Sequence, residues 1–368
     1  MNKYKLKDIA PIKQGICNLT DKVWLLNLDA VESNTGRIIE YVYASPEEIG
    51  NSTITFDTTN VLYCKLRPYL NKVVLPEKAG FATSEMLPLK PDTSVILREY
   101  LAYFLRSKSF VEYINSKTAG AKMPRANTKD LKNTEVPCPD LDTQIEIVKQ
   151  IDACVSIINE RNKQIQCMDN LIKARFVELF GNGRDGKCNS VFMGDCCKFQ
   201  QGTQIPVELQ EEEYKEGYKR FLRIIDYTQA PQSPRYVRIE GREIDVKSVV
   251  IVRYGATAGF VGRGYSGILA NNLFEVVPDE SVISKDFLYL ALKYGTFERD
   301  IHEKAFGAAM PALSFSMMKD IPLVAPALRA QEEFVRFFEQ VDKSKVAIQK
   351  SLEETQLLFD SLMQEYFG

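Results

Sequence analysis

Histidine is nearly absent. His302 is the only one in 368 residues, so no His cluster can hold a catalytic metal and His-dependent acid–base chemistry has little to work with. We expect His302 to cap or decorate a helix near residues 284–305. The eight cysteines stand at 17, 64, 138, 154, 167, 188, 196 and 197, and none forms a CxxC pair. That spacing supplies neither a zinc site nor a disulfide framework, and we read reduced thiols in a cytoplasmic protein. No apolar run reaches the ~18 residues that a membrane span needs. The start, Met1 to Asp8, is basic but lacks the apolar core of a signal peptide.

An excess of charge is missing as well. With 47 basic and 49 acidic side chains the formal net charge is −2, which excludes a strongly basic coat for nucleic acid. No GxxxxGK[ST] is present to cradle a triphosphate. Gly262-Arg263-Gly264-Tyr265-Ser266-Gly267 matches GxGxxG, but a strand-like Leu273–Val277 comes next where a dinucleotide fold needs a helix. Asp195 with Glu213-Tyr214-Lys215 imitates a nuclease motif, yet Glu213 lies in an acidic run, Glu208 to Glu216. The Asn-Pro-Pro-aromatic element of an amino-methyltransferase is missing too. These absences argue for recognition without chemistry.

What is present is a repeat. Shifting the chain by 187 residues brings Asp8 and Gly15 onto Asp195 and Gly202, and Pro91-Asp92 onto Pro278-Asp279. Gly120-Ala121-Lys122-Met123-Pro124 meets Gly307-Ala308-Ala309-Met310-Pro311. Pro139, Leu141 and Gln144 meet Pro326, Leu328 and Gln331, and Phe180-Gly181 meets Phe367-Gly368. Two copies of one design predict a pseudo-symmetric body, and duplex DNA is the commonest target with its own approximate two-fold.

Each copy opens with a mixed α/β segment and closes with a long helix. The expected domains are 1–140 and 182–327, with helices over 141–181 and 328–368. Val23–Leu28, Asn60–Leu66, Leu70–Leu75, Ser248–Tyr254 and Leu273–Val277 read as short strands. A shorter helix is expected near 95–117 and again near 284–305. Along 143–180, Ile151, Val155, Ile158, Ile165, Ile172, Phe176 and Leu179 recur at alternating three- and four-residue steps. Along 330–367, Phe334, Phe338, Val341, Ile348, Leu352, Phe359, Leu362 and Tyr366 do the same. This is a narrow coiled-coil seam, and 38 helical residues extend roughly 57 Å. The economical arrangement pairs the helices antiparallel between the two domains, with Asn162, Asp169, Lys345 and Thr355 as polar register marks. The alternative is that each helix packs only on its own domain.

Basic side chains cluster twice. Arg106, Lys108, Lys117, Lys122, Arg125 and Lys129 lie within 104–129. Lys219, Arg220, Arg223, Arg235, Arg238 and Arg242 lie within 219–242. Either run is solvated surface or phosphate contact; one per repeat leans towards phosphate.

The ordered set resembles the DNA-specificity subunit of type I restriction–modification systems. The match is carried by Lys65-Leu66-Arg67-Pro68-Tyr69-Leu70-Asn71-Lys72 with Gly80-Phe81-Ala82-Thr83-Ser84-Glu85, and by Val252-Arg253-Tyr254-Gly255-Ala256-Thr257 with Asn271-Asn272. The GAxMP segment leading to Pro-x-Leu-x-x-Gln in each copy and the duplicated layout complete it. The resemblance implies two target-recognition domains, two antiparallel spacer helices and no catalytic activity. It implies a bipartite DNA site, two adenine-methyltransferase subunits that bind S-adenosylmethionine, and ATP-driven, Mg-dependent restriction subunits. The chain itself needs no cofactor, metal or membrane.

On that reading the first domain contacts duplex DNA through Lys65, Arg67, Tyr69, Lys72, Ser84, Glu85, Lys122 and Arg125. The second uses Arg253, Tyr254, Thr257, Asn271 and Asn272. Arginine forks to guanine and asparagine pairs with adenine, while Gly255, Gly259, Gly262 and Gly264 admit close backbone approach. Tyr69 as a half-buried sheet residue and Asn271-Asn272 as a turn pair remain open. Ile151, Ile158, Ile165 and Ile172 with Phe338, Ile348, Leu352 and Phe359 form the helix seam. Because the two motifs differ, the half-sites should differ. A free-standing restriction or methylation enzyme fragment and a purely structural coiled-coil adaptor are the competing readings.

Overall fold

The computed structural model describes residues 2–18, 22–50, 52–119, 122–181, 188–228, 233–305 and 312–368. Its contacts gather into two units, one of Met1–Asn162 with Lys350–Gly368 and one of Lys163–Gln349. Each is mixed α/β.

In the first unit a four-stranded sheet runs in the order Val42–Ala44, Val23–Leu26, Gly80–Thr83, Thr53–Phe56. Its central pair is parallel, with Leu25 opposite Phe81. A second sheet places Val61–Cys64 between Val73–Val74 and Met86–Leu89. All four residues of Val61–Cys64 are buried, which explains an unbroken apolar run where a one-faced strand would alternate. The expected strand over 70–75 shrinks to Val73–Val74. Pro68–Leu70 forms a 3₁₀ turn instead, flanked by Arg67 and Asn71 in the left-handed region. The expected helix near 95–117 is two helices, Arg98–Arg106 and Lys108–Ser116. Ser107 breaks it, its hydroxyl accepting the Phe110 N–H at 3.3 Å as the cap of the second.

The second unit repeats this plan. Its sheet runs Arg235–Val237, Lys219–Leu222, Gly267–Leu269, Glu243–Ile244, again with a parallel central pair, Phe221 opposite Ile268. The companion sheet is Cys197–Gln201, Leu273–Pro278, Val249–Val252, Val261–Gly262. The segment expected as one helix near 284–305 is Lys285–Tyr294 and Phe297–Ala305, parted at Gly295. The GxGxxG match over 262–267 links strand Val261–Gly262 to strand Gly267–Leu269 and opens no helix, as expected for a segment leading into Leu273–Val277. Gly80 and Gly267 occupy the same sheet position. A Cβ there would stand 2.7 Å from Trp24 O and 2.2 Å from Arg220 O respectively, so the neighbouring strand requires glycine.

Gln144 and Gln331, two landmarks of the repeat, are fully buried. Gln144 Oε1 accepts the Leu97 N–H at 2.9 Å, and its Nε2 donates to Val95 O and Pro139 O, both at 2.9 Å. Gln331 makes the same three bonds, to Ser284 N–H, Val282 O and Pro326 O. Each amide thus ties the start of a long helix to the start of a shorter one, and every polar atom it buries is satisfied.

The long helices are Leu141–Phe180 and Leu328–Phe367. In the first unit Ile147 and Ile151 share a core with Met363, Phe367, Tyr100 and Phe104, and the Tyr366 hydroxyl donates to Gln150 Oε1 at 2.8 Å. In the second unit Phe176 and Phe180 pack edge-on against Phe334. Lys345 Nζ donates to both carboxylate oxygens of Asp169 at 2.7 and 2.8 Å. Within the second unit the partner's residue number rises on one helix as it falls on the other, so the helices run antiparallel there. Asp169 and Lys345, both expected to mark register, are therefore partners. Ile151, Ile172 and Phe338 are buried; Ile158, Ile165, Ile348, Leu352 and Phe359 are half-buried. Leu179, counted on the apolar stripe, is exposed. Among the described residues no helix is long and apolar enough to cross a membrane.

Candidate nucleic-acid interface

In the first unit three chain segments meet beside the buried strand Val61–Cys64. The Lys65 N–H donates to Glu85 O at 2.9 Å, and Ala126 N–H donates to Lys65 O at 2.8 Å. Arg67 N–H donates to Pro124 O at 2.8 Å, and Leu66 bridges Arg125. This backbone frame gathers residues far apart in sequence.

The second unit builds the same frame. Arg253 N–H donates to Asn272 O at 2.9 Å, Leu313 N–H donates to Arg253 O at 3.0 Å, and Tyr254 bridges Ala312. The correspondence extends to backbone angles. Arg67, at φ 49°, occupies the place of Gly255, at φ 89°. A left-handed arginine ahead of a proline is doubly disfavoured, so the frame holds it there.

The side chains on the two frames differ. In the first, Lys65 lies 3.9 Å and Arg125 3.0 Å from the Glu85 carboxylate, and that carboxylate raises the Arg125 guanidinium above its ordinary value. Arg67, Tyr69, Ser84 and Lys122 are exposed, and among the described residues the side chains of Arg67 and Lys122 have no partner. Lys72 stands apart, its ammonium donating to Leu28 O at 2.7 Å. In the second, the half-buried Arg253 guanidinium lies over the Tyr254 ring at 4.7 Å and donates to Leu313 O at 3.3 Å. Asn271 Nδ2 reaches Gln204 Oε1 at 3.4 Å. Asn272 Oδ1 is buried without a hydrogen bond. Thr257 is exposed on a turn, accepting Phe260 N–H through its carbonyl at 3.0 Å. One frame thus presents charge, the other amides, an aromatic ring and a single stacked guanidinium. Gln204 and Phe315, whose ring lies 5.8 Å from Arg253, join the second frame; nothing in their local sequence distinguishes them.

The basic run 219–242 is largely spent inside the second unit. Arg220 and Arg223 both pair with the buried Asp226 at 2.9 and 3.2 Å, and Arg242 pairs with the buried Glu275. Removing those cations would leave a buried carboxylate uncompensated. Lys219 pairs with Glu243, and Arg235 with Glu212 at 2.7 Å. In the run 104–129, Arg106 donates to Val73 O at 2.6 Å, and burial lowers its guanidinium below its ordinary value. Gly262, expected to open the backbone to phosphate, faces inward, where a Cβ would stand 2.5 Å from the Tyr227 ring. Gly120-Ala121 and all of Gly307–Pro311 lie outside the described residues.

Comparison with known proteins agrees with this layout. A family model described as type I restriction modification DNA specificity domain matches twice, over residues 1–166 and 187–356. The EcoDI specificity subunit of Escherichia coli is 27% identical over 135 residues, 37% of this chain and 30% of that protein. The MjaVIII specificity subunit of Methanocaldococcus jannaschii is 25% identical over 295 residues, covering 79% of this chain and 57% of that protein. The chain thus spans about a third to just over half of these relatives. The MjaIX specificity subunit of the same organism is 21% identical over 98% of this chain and 90% of its own. A crystal structure of a type I restriction–modification S subunit from M. genitalium shares the fold, with TM-score 0.63 and 16% identity over 100% of this chain and 96% of that one. A chain from a structural study of type I complex assembly and conformational transition has TM-score 0.59 at 16% identity, over 100% of this chain and 97% of its own. With both copies of its repeat matched by the family model, the chain belongs to the type I restriction–modification DNA specificity family.

Proposed function

We propose that this chain is the non-catalytic DNA-recognition subunit of a type I restriction–modification complex, reading a bipartite, asymmetric site. The observation that carries this is the repeated frame: matching backbone hydrogen bonds hold Lys65, Glu85 and Arg125 in one copy and Arg253, Asn272 and Ala312 in the other. A scaffold kept across an internal repeat while its presented side chains diverge is what two different half-sites require.

In this reading Arg67, Lys65 and Arg125 face base edges or phosphates of one half-site, with Glu85 orienting two cations and suppressing the wrong sequence. Lys122, Ser84 and Tyr69 border them. Arg253, stacked and so restrained, forks to guanine, and Asn271 or Asn272 offers an amide to adenine. Tyr254 and Thr257 flank that half-site. Two adenine-methyltransferase subunits carry S-adenosylmethionine, and restriction subunits carry ATP and Mg. The long helices set the unread spacer between half-sites.

Genome-wide methylation sequencing of cells with and without the gene tests this. The expected result is one bipartite adenine-methylation motif, with different halves, that vanishes on deletion. An unchanged methylome in cells expressing an intact set of partner subunits would contradict it.

A further inference from the structure

The outer strand of the four-stranded sheet is covered in one copy of the repeat and open in the other. In the second unit Glu211 and Tyr236 exchange backbone hydrogen bonds, each at 2.9 Å. This adds a short antiparallel segment to the edge strand Arg235–Val237. The same segment lays the Tyr214 ring edge-on against Tyr236, with centroids 5.6 Å apart, and brings Glu212 to Arg235. It belongs to the acidic run 208–216, which lies ahead of strand Lys219–Leu222.

Strand Val42–Ala44 holds the equivalent place in the first unit. Tyr43 pairs with Trp24 as Tyr236 pairs with Arg220, so its outward backbone groups point where those of Tyr236 meet Glu211. Among the described residues no segment pairs with that outer side. Tyr43 is 50% and Tyr41 41% exposed, beside Ile39 at 59%. The ammonium of Lys78 stands 4.0 Å from the Tyr41 ring centroid and 4.9 Å from that of Tyr43, and it donates to the Tyr43 hydroxyl. The edge therefore offers unpaired strand groups, an aromatic surface and the Lys78 ammonium.

We propose that Val42–Ala44 is a docking edge for an extended segment of a partner protein. The segment would add a strand antiparallel to Val42–Ala44, lay an aromatic ring on Tyr43 and bring a carboxylate to Lys78. The template is the chain's own second unit, where an aromatic- and Glu-bearing segment pairs with the edge strand, lays Tyr214 on Tyr236 and brings Glu212 to Arg235, the strand neighbour of Tyr236. Strand addition draws affinity from main-chain bonds and specificity from alternate side chains. Charge argues against duplex DNA as the occupant. Glu40, Glu47 and Glu48 are exposed at this edge and would repel the phosphates of a duplex, whereas the unpaired strand groups are met by the main chain of a protein segment, of which a single carboxylate would face Lys78.

The probe is an acetylated peptide with the sequence of residues 208–218, added to the full chain. Hydrogen exchange is followed at residues 42–44, and affinity by fluorescence anisotropy. Exchange at the edge should slow, and Lys78→Glu should weaken peptide binding about tenfold. Tyr43→Pro, which removes the outward N–H, should abolish binding. A peptide carrying Tyr214→Ala should bind more weakly. Unchanged exchange in Gly80–Thr83 identifies variants that still fold. No slowing at residues 42–44 would overturn the proposal. So would binding that survives both substitutions, or protection of this edge by duplex DNA rather than by the peptide.

Discussion

Replacing Gln331 by leucine probes how the repeat is held together. The substitution nearly conserves volume, so it opens no large cavity and isolates the polar contribution. Gln331 is fully buried. Its Oε1 accepts the Ser284 N–H at 2.9 Å, and its Nε2 donates to Val282 O at 2.9 Å and Pro326 O at 2.8 Å. Leucine leaves one N–H and two carbonyls in the interior without partners. At about 1–3 kcal/mol for each orphaned group, less where a carbonyl relaxes towards another donor, the loss should be about 3–5 kcal/mol. For a unit of this size that lowers its melting temperature by about 10 °C. Hydrogen exchange should locate the damage, with amides at the start of helix Lys285–Tyr294 losing protection first. Gln144→Leu should do the same to helix Arg98–Arg106 and leave 285–294 unaffected. A loss below about 1 kcal/mol in either variant would refute this accounting, because the three bonds would then be replaceable by water or by relaxation.

The same geometry sets three other expectations. Because the net charge is −2 and most cations of 219–242 are paired internally, the isolated chain should bind DNA weakly, and titration from low to moderate salt should show a steep fall in affinity. Asp92 and Asp279 each accept the N–H and hydroxyl of a serine two residues on, Ser94 and Ser281, and those bonds hold both carboxyls below their ordinary range. Their stabilising contribution is therefore present above the unfolded value of about 3.9 and is lost as pH falls through the lower folded values; carboxyl titration by NMR should show both midpoints depressed, and Ser94→Ala should raise that of Asp92 alone. Inserting four helical residues between Phe180 and Gly181 adds about 6 Å, so methylome sequencing should find a spacer longer by one or two base pairs with both half-sites unchanged; altered half-sites with the original spacer would contradict that role for the helices.

Much of this architecture was legible in the sequence because it is periodic. Three- and four-residue steps along 143–180 and 330–367 mark helices that run from Leu141 to Phe180 and from Leu328 to Phe367. A shift of 187 residues carries Gly80 onto Gly267 and Gln144 onto Gln331, and each pair has one structural role. Charge was harder to read. Whether Arg220 and Arg223 face solvent depends on the burial of Asp226, which is settled by packing far from the local pattern. The run 70–75 looked like a strand, but Pro68 and two left-handed residues turn the chain there. The frames lay between these cases. Their residues stood out by motif, whereas the pairing of Lys65 with Glu85 and Ala126 is tertiary and left no local mark.

The most direct test of the central claim is methylome sequencing of cells carrying this chain with Arg67→Ala or with Asn271→Ala, alongside wild type and the same partner subunits. If each frame reads its own half-site, Arg67→Ala relaxes or abolishes one half of the motif and Asn271→Ala the other, each costing about 1–3 kcal/mol of discrimination for a bidentate contact. Equal degradation of both halves by either substitution would contradict it.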